Sequence, residues 1–204
     1  MPQIVNYLAY KCTQMPNPGL YHGRMGIILA LYGYGVTTKD ETITHFASEL
    51  LQCSSEDTFV GDISVESGIT GLGLGYTFLY KLGLFKNDLN EILEEIDQEI
   101  MRIDPRRIND NSFRRGRLGI LYYIKNRLST NQELRSINQT YIEELTLLIP
   151  NYQAYMASFD SVILDIQEPQ CDNVKSFSEI PVGIDNGLSY YLLKSSYENK
   201  IFSN

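Results

Sequence analysis

Two kinds of segment alternate along the chain. In the first, a glycine cluster runs into a stretch that is apolar on every side: Gly-Leu-Tyr-His-Gly-Arg-Met-Gly-Ile-Ile-Leu-Ala-Leu at 19–31, Ser-Gly-Ile-Thr-Gly-Leu-Gly-Leu-Gly-Tyr-Thr-Phe-Leu at 67–79 and Arg-Gly-Arg-Leu-Gly-Ile-Leu-Tyr-Tyr at 115–123. A looser copy, Val-Gly-Ile-Asp-Asn-Gly-Leu-Ser-Tyr-Tyr-Leu, occupies 182–192. Such segments are helices buried all round, and their glycines let backbones approach closely. In the second kind, apolar residues recur on one helical face. Residues 38–52 carry Ile43, Phe46, Ala47, Leu50 and Leu51; 88–103 carry Leu89, Ile92, Leu93, Ile96 and Ile100; 130–149 carry Leu134, Ile137, Tyr141, Leu145, Leu148 and Ile149. Each opens with a capping-box signature, Thr38 with Glu41, Asp88 with Glu91 and Thr130 with Glu133. On the second of these, Glu91, Glu94, Glu95, Asp97 and Glu99 are assigned to the outward face.

Aligning the last glycine before each apolar run gives Gly26, Gly71, Gly119 and Gly187, at intervals of 45, 48 and 68 residues. The first two intervals suit a helical hairpin repeat, and the third carries an insertion. Buried inner helices covered by amphipathic outer ones predict an all-α chain, an α/α partial toroid of four helical hairpins in one domain spanning 1–204. Residues 2–12 read as a short helix sealing the start of the core, and Gly33-Tyr34-Gly35 as the end of the first inner helix. Residues 151–166 read as an apolar helix, with 167–181 a loop containing Cys171.

The stretches GLYHGRMGI, SGITGLGLGYTFLYKLGLF followed by NDLNEILEEIDQEI, and RRGRLGILYYI resemble the lanthionine synthetase C-like family, over roughly residues 17–128 and more weakly in the fourth copy. The resemblance implies a toroid of about seven inner helices stacked as repeats. It also implies a zinc ion at the mouth, and cyclisation by adding a cysteine thiol to a dehydrated residue of a ribosomally made peptide. The family's zinc ligands are one cysteine and an adjacent Cys-His pair. This chain has no Cys-His pair; its cysteines are Cys12, Cys53 and Cys171, and His45 and Cys53 share an outer helix. No metal or other cofactor is therefore expected.

Composition narrows the partners. A net charge of −8 and a pI near 4.8 argue against nucleic acid. No run is long and apolar enough for a membrane span or a secretion signal, and three scattered cysteines suit reduced thiols, so the cytoplasm is the expected compartment. Six arginines crowd 102–117: Arg102, Arg106, Arg107, Arg114, Arg115 and Arg117. Two readings stay open: pairing with the acidic outer face and helix ends, or lining a mouth. In a toroid the inner helices share one direction, so their N-termini gather at that mouth with unpaired N–H groups. Tyr21, His22, Arg24, Arg115 and Arg117 are the expected binding residues there, suited to an anion. Tyr76, Tyr122, Tyr123, Tyr190 and Tyr191 either line a peptide groove beside them or fill the inner layer.

His22 is the candidate acid, base or ligand. Asp62, Glu66 and Asp185 are the candidates for paired-carboxylate catalysis. Two functions follow: a peptide-maturation component that binds a precursor peptide or partner protein without zinc cyclase chemistry, or an α/α-barrel enzyme of the glycoside hydrolase or lyase kind. With four inner helices, the flanks of the first and fourth are expected to stand open, which favours a homodimer or a complex with another maturation protein.

Overall fold

The computed structural model describes residues 2–55, 61–130, 136–152, 165–170 and 176–199, and among them every regular element is helical. Helix α1 is Pro2–Gln14, α2 Arg24–Thr38, α3 Glu41–Ser55, α4 Ile69–Lys81, α5 Leu89–Met101, α6 Arg117–Thr130, α7 Gln139–Leu148 and α8 Ser189–Glu198. The expected layers are present. Almost every residue of α2 from Met25 to Gly35, of α4 from Ile69 to Leu79 and of α6 from Arg117 to Ile124 is buried. Helices α3, α5 and α7 bury one stripe each, against α2, α4 and α6 in turn.

Local chemistry moves several boundaries. Helix α2 does not stop at Gly33-Tyr34-Gly35; it runs to Thr38 and is closed by Lys39 in the left-handed region at φ 58°. Gly35 instead makes room, because a Cβ there would overlap Thr44 at the start of α3. The cap of α3 is Asp40, whose Oδ1 accepts the N–H groups of Thr42 and Ile43 at 3.1 and 3.2 Å. Thr38 turns back to Tyr34 in its own helix. Asp88 caps α5 as expected. Thr130 ends α6, and Asn138 caps α7 through the Thr140 N–H; Glu133 and Leu134 lie outside the described residues, as does most of the helix expected at 151–166.

The arrangement of the inner helices is the larger correction. α8 packs along α2, so the inner order is α8, α2, α4, α6. The first and fourth inner helices thus cover one another, and α2 has α1, α3, α4 and α8 around it. The first inner helix is therefore flanked on both sides, and the ends of the row are the third and fourth, α6 and α8. The large apolar side chains exposed among the described residues, Tyr10, Tyr80 and Leu147, sit on three different helices.

Asp97 is not on the outward face of α5. It is fully buried and meets the equally buried Arg127 of α6 at 2.9 Å. The Tyr123 hydroxyl donates to Asp97 Oδ1 at 2.6 Å and the Ser136 hydroxyl to Oδ2 at 2.7 Å. Burial and the Asp97 charge push the Tyr123 phenol well above its ordinary range. A charge pair with this many donors tolerates burial, whereas half of it does not. Asp97→Ala is expected to destabilise the fold by about 3–5 kcal/mol by leaving the Arg127 charge without its counter-ion, measured by urea unfolding.

Candidate functional site

Every inner helix is entered through a seven-residue loop, at 17–23, 62–68, 110–116 and 181–187. In all four, the N–H following the loop donates to the carbonyl of its first residue: Arg24 to Asn17 at 2.8 Å, Ile69 to Asp62 at 3.0 Å, Arg117 to Asp110 at 2.9 Å and Leu188 to Pro181 at 2.8 Å. Position three is small (Gly19, Ser64, Ser112, Gly183), position four apolar (Leu20, Val65, Phe113, Ile184) and position seven glycine (Gly23, Gly68, Gly116, Gly187). This register corrects the fourth copy: Gly187 corresponds to Gly23, Gly68 and Gly116, three residues earlier than the alignment with Gly26, Gly71 and Gly119.

Positions five and six carry the chemistry: Tyr21-His22, Glu66-Ser67, Arg114-Arg115 and Asp185-Asn186. Three of the position-five carbonyls also join the loops, each accepting two consecutive N–H groups from a neighbour. Tyr21 O accepts from Ile184 and Asp185 at 3.0 and 3.5 Å; Glu66 O accepts from Tyr21 and His22 at 3.0 and 3.1 Å; Arg114 O accepts from Val65 and Glu66 at 3.0 and 2.9 Å. The loops therefore stand in the order fourth, first, second, third.

This joining brings the position-five side chains together as a floor. Arg114 Nη1 lies 2.5 Å from Asp185 Oδ2 and 3.9 Å from Glu66 Oε1, with its guanidinium 4.2 Å over the Tyr21 ring. Arg115 Nε bonds Glu66 Oε2, and the Gln167 N–H donates to Asp185 Oδ1 at 2.7 Å. His22 Nε2 stands 3.4 Å from Glu66 Oε1 and 4.0 Å from Asp185 Oδ2. The side chains of Asp185 and Glu66 are 5% and 10% exposed, those of His22 and Arg115 40% and 69%. Position five is thus a largely buried layer, with Arg114 half-buried, and position six a more accessible rim.

Charges within the floor stabilise one another. Burial works against ionised Asp185, but the Arg114 guanidinium, the Gln167 N–H and His22 together hold its carboxyl below the usual carboxylate range. Burial likewise opposes the Arg114 charge, and Asp185, Tyr21 and Glu66 more than offset it. Burial raises the Tyr21 phenol despite Arg114 beside it. A carboxylic general acid needs the opposite displacement, upward.

Of the residues expected at the mouth, the structure assembles Tyr21, His22, Glu66, Asp185 and Arg115. Asp62 is elsewhere, an exposed turn residue whose Oδ1 accepts the Ser64 N–H at 2.7 Å, as Asp110 does from Ser112 at 2.6 Å. Arg117 is buried, with Nε on the Pro105 carbonyl at 2.9 Å and Nη1 on Asn111 Oδ1 at 2.7 Å, so it braces the third loop from behind. Arg24 lies beside Cys12 of α1. Both readings of the arginine run hold in part: Arg102 pairs with Glu99 and Arg106 with Glu144, while Arg114 and Arg115 face the mouth. Arg114, the residue touching most of the floor, was not picked out; its place two residues before Gly116, matching Tyr21, Glu66 and Asp185, was the available signal. Tyr76, Tyr122 and Tyr123 are inner-layer fillers, and Tyr190 and Tyr191 are half-buried.

The mouth residues do not fit a zinc site with thiolate ligands. Cys12 is buried in α1, its thiol pushed up to about 12 by burial with Arg24 pulling the other way, and Cys53 is exposed near the end of α3. Cys171 lies outside the described residues. The carboxylates beside His22 are engaged by Arg114 and Arg115, and among the described residues no three of His, Cys, Asp and Glu are placed to hold a metal ion. Nor is any described helix long and apolar enough to cross a membrane.

A comparison with protein families matches residues 14–175 to the one described as lanthionine synthetase C-like protein. No curated protein matches the chain.

The Asp185 environment sets a pH dependence. Since its carboxyl is held below the ordinary value of about 4, its contribution to stability is full above that pH and is lost as the pH falls through it towards the lower folded-state value. Asp185→Asn is expected to be less stable than wild type by about 1–3 kcal/mol at pH 7. Urea melts across pH 2–7 should show the gap closing on the acid side.

Proposed function

The chain belongs to the lanthionine synthetase C-like family, and on that premise we propose that it serves ribosomal peptide maturation by binding a peptide or partner protein at the four-loop mouth, without the zinc-dependent thiol addition of a cyclase. One observation carries the reading: the two carboxylates beside His22 are each committed to an arginine of the third loop. A Lewis-acid site needs several ligands free to converge on one ion with an open position. Here the groups nearest the only mouth imidazole are already neutralised by guanidinium. What remains accessible is a rim of hydrogen-bonding side chains, His22, Ser67, Arg115 and Asn186, over a charge-balanced floor, which suits recognition of a polar chain segment.

The carboxylate-enzyme reading gains the meeting of Glu66 with Asp185 but loses Asp62, and the downward displacement of Asp185 is the wrong direction for an acid catalyst. Cytoplasmic residence belongs to the same proposal, supported by the unpaired thiols of Cys12 and Cys53.

Purified protein is expected to carry well under about 0.1 zinc per chain, unchanged in His22→Ala. Arg115→Glu should weaken binding of a precursor peptide encoded beside the gene by roughly tenfold in calorimetry. One zinc per chain, lost in His22→Ala, would overturn the reading.

A further inference from the structure

Three of the four seams between mouth loops follow one rule, in which a position-five carbonyl takes two N–H groups from the next loop. The seam between the third and fourth loops does not. Among the described residues the N–H groups of Phe113 and Arg114 meet no acceptor, and the Asp185 carbonyl meets no donor. The position-four and position-five N–H groups form this pair in the second and fourth loops, and in the first loop the pair is shifted by one residue to Tyr21 and His22. Only side chains span this seam, through Arg114 Nη1 and Asp185 Oδ2 at 2.5 Å. Behind it, α6 lies along α4 and α8 along α2.

We propose that this seam receives an extended peptide segment through its main chain. An extended segment presents alternating carbonyls and N–H groups along its edges. One of its carbonyls takes the Phe113 and Arg114 N–H pair, as the carbonyls of Tyr21, Glu66 and Arg114 take pairs within the chain, and one of its N–H groups donates to the Asp185 carbonyl. The segment continues both ends of the loop ladder. Recognition by main chain makes the seam tolerant of peptide sequence, leaving selectivity to Tyr21, His22 and the Arg114–Asp185 pair alongside. The inference rests on the peptide-binding reading and specifies where and how the peptide is held.

The test uses the full-length protein, isotopically labelled, with a capped Ala-Ser octapeptide at millimolar concentration and the same octapeptide N-methylated at every amide, which removes every N–H and crowds both edges of the extended chain. The unmodified probe should slow hydrogen exchange at the Phe113 and Arg114 amides by about fivefold or more, and the methylated one should not. The amides of Tyr21, His22, Val65 and Glu66, already bonded, should be unaffected by either. Shifts confined to the His22 and Arg115 side chains, equal for both probes, would overturn the seam and leave mouth binding standing. No response at any mouth group would overturn both.

Discussion

The shared carbonyl is the constraint on which the mouth depends. A main-chain oxygen has two lone pairs, and in this fold three of them, on Tyr21, Glu66 and Arg114, are each saturated by two N–H groups from the neighbouring loop. Because the accepting residue is also the one whose side chain points into the floor, setting the loop spacing and placing the functional groups are one event. Four side chains distant in sequence are brought together through the loop backbones. The glycines serve this arrangement: a Cβ on Gly71 would overlap the Val65 carbonyl, one residue before the shared oxygen of Glu66.

Away from the mouth a different interaction ties the second hairpin to the third. The Asp97–Arg127 pair, closed by Tyr123 and Ser136, ties α5 to α6 in the interior. Gly73 of α4 gives Tyr123 the room to reach it. The chain thus uses guanidinium in three settings: exposed on helix surfaces, half-buried over Tyr21, and fully enclosed at Arg127.

The fold class was legible because burial on all sides leaves a pattern that amphipathic burial cannot imitate, and α2, α4 and α6 carry it plainly. Caps were less legible. Thr38 and Asp40 both offer acceptors near the start of α3, and the choice is made by Lys39 entering the left-handed region, which sequence does not announce. Asp97 was misplaced because helical periodicity treats a carboxylate as outward; only the buried Arg127 on another helix reverses that. At the site, Tyr21, His22, Glu66, Asp185 and Arg115 were found from their nearness to glycine clusters. Arg24 and Arg117 share that nearness, yet loop geometry turns them away. Arg114 was read only as one of an arginine run, and the three-residue slip in the fourth repeat, where Tyr190 stands at the position of Gly26, Gly71 and Gly119, hid that Asp185 shares its loop position.

The packing of α8 on α2 has a consequence for biosynthesis. A repeat protein whose neighbours in space are neighbours in sequence can condense as it emerges from the ribosome. Here the first inner helix waits for a partner more than 160 residues later in the chain, and Asp185 arrives with it. Contacts of such long sequence separation form late and slow folding. Until residues 181–198 have been synthesised, the apolar face of α2 stays without that cover, and the incomplete chain carries surface of the kind that drives aggregation.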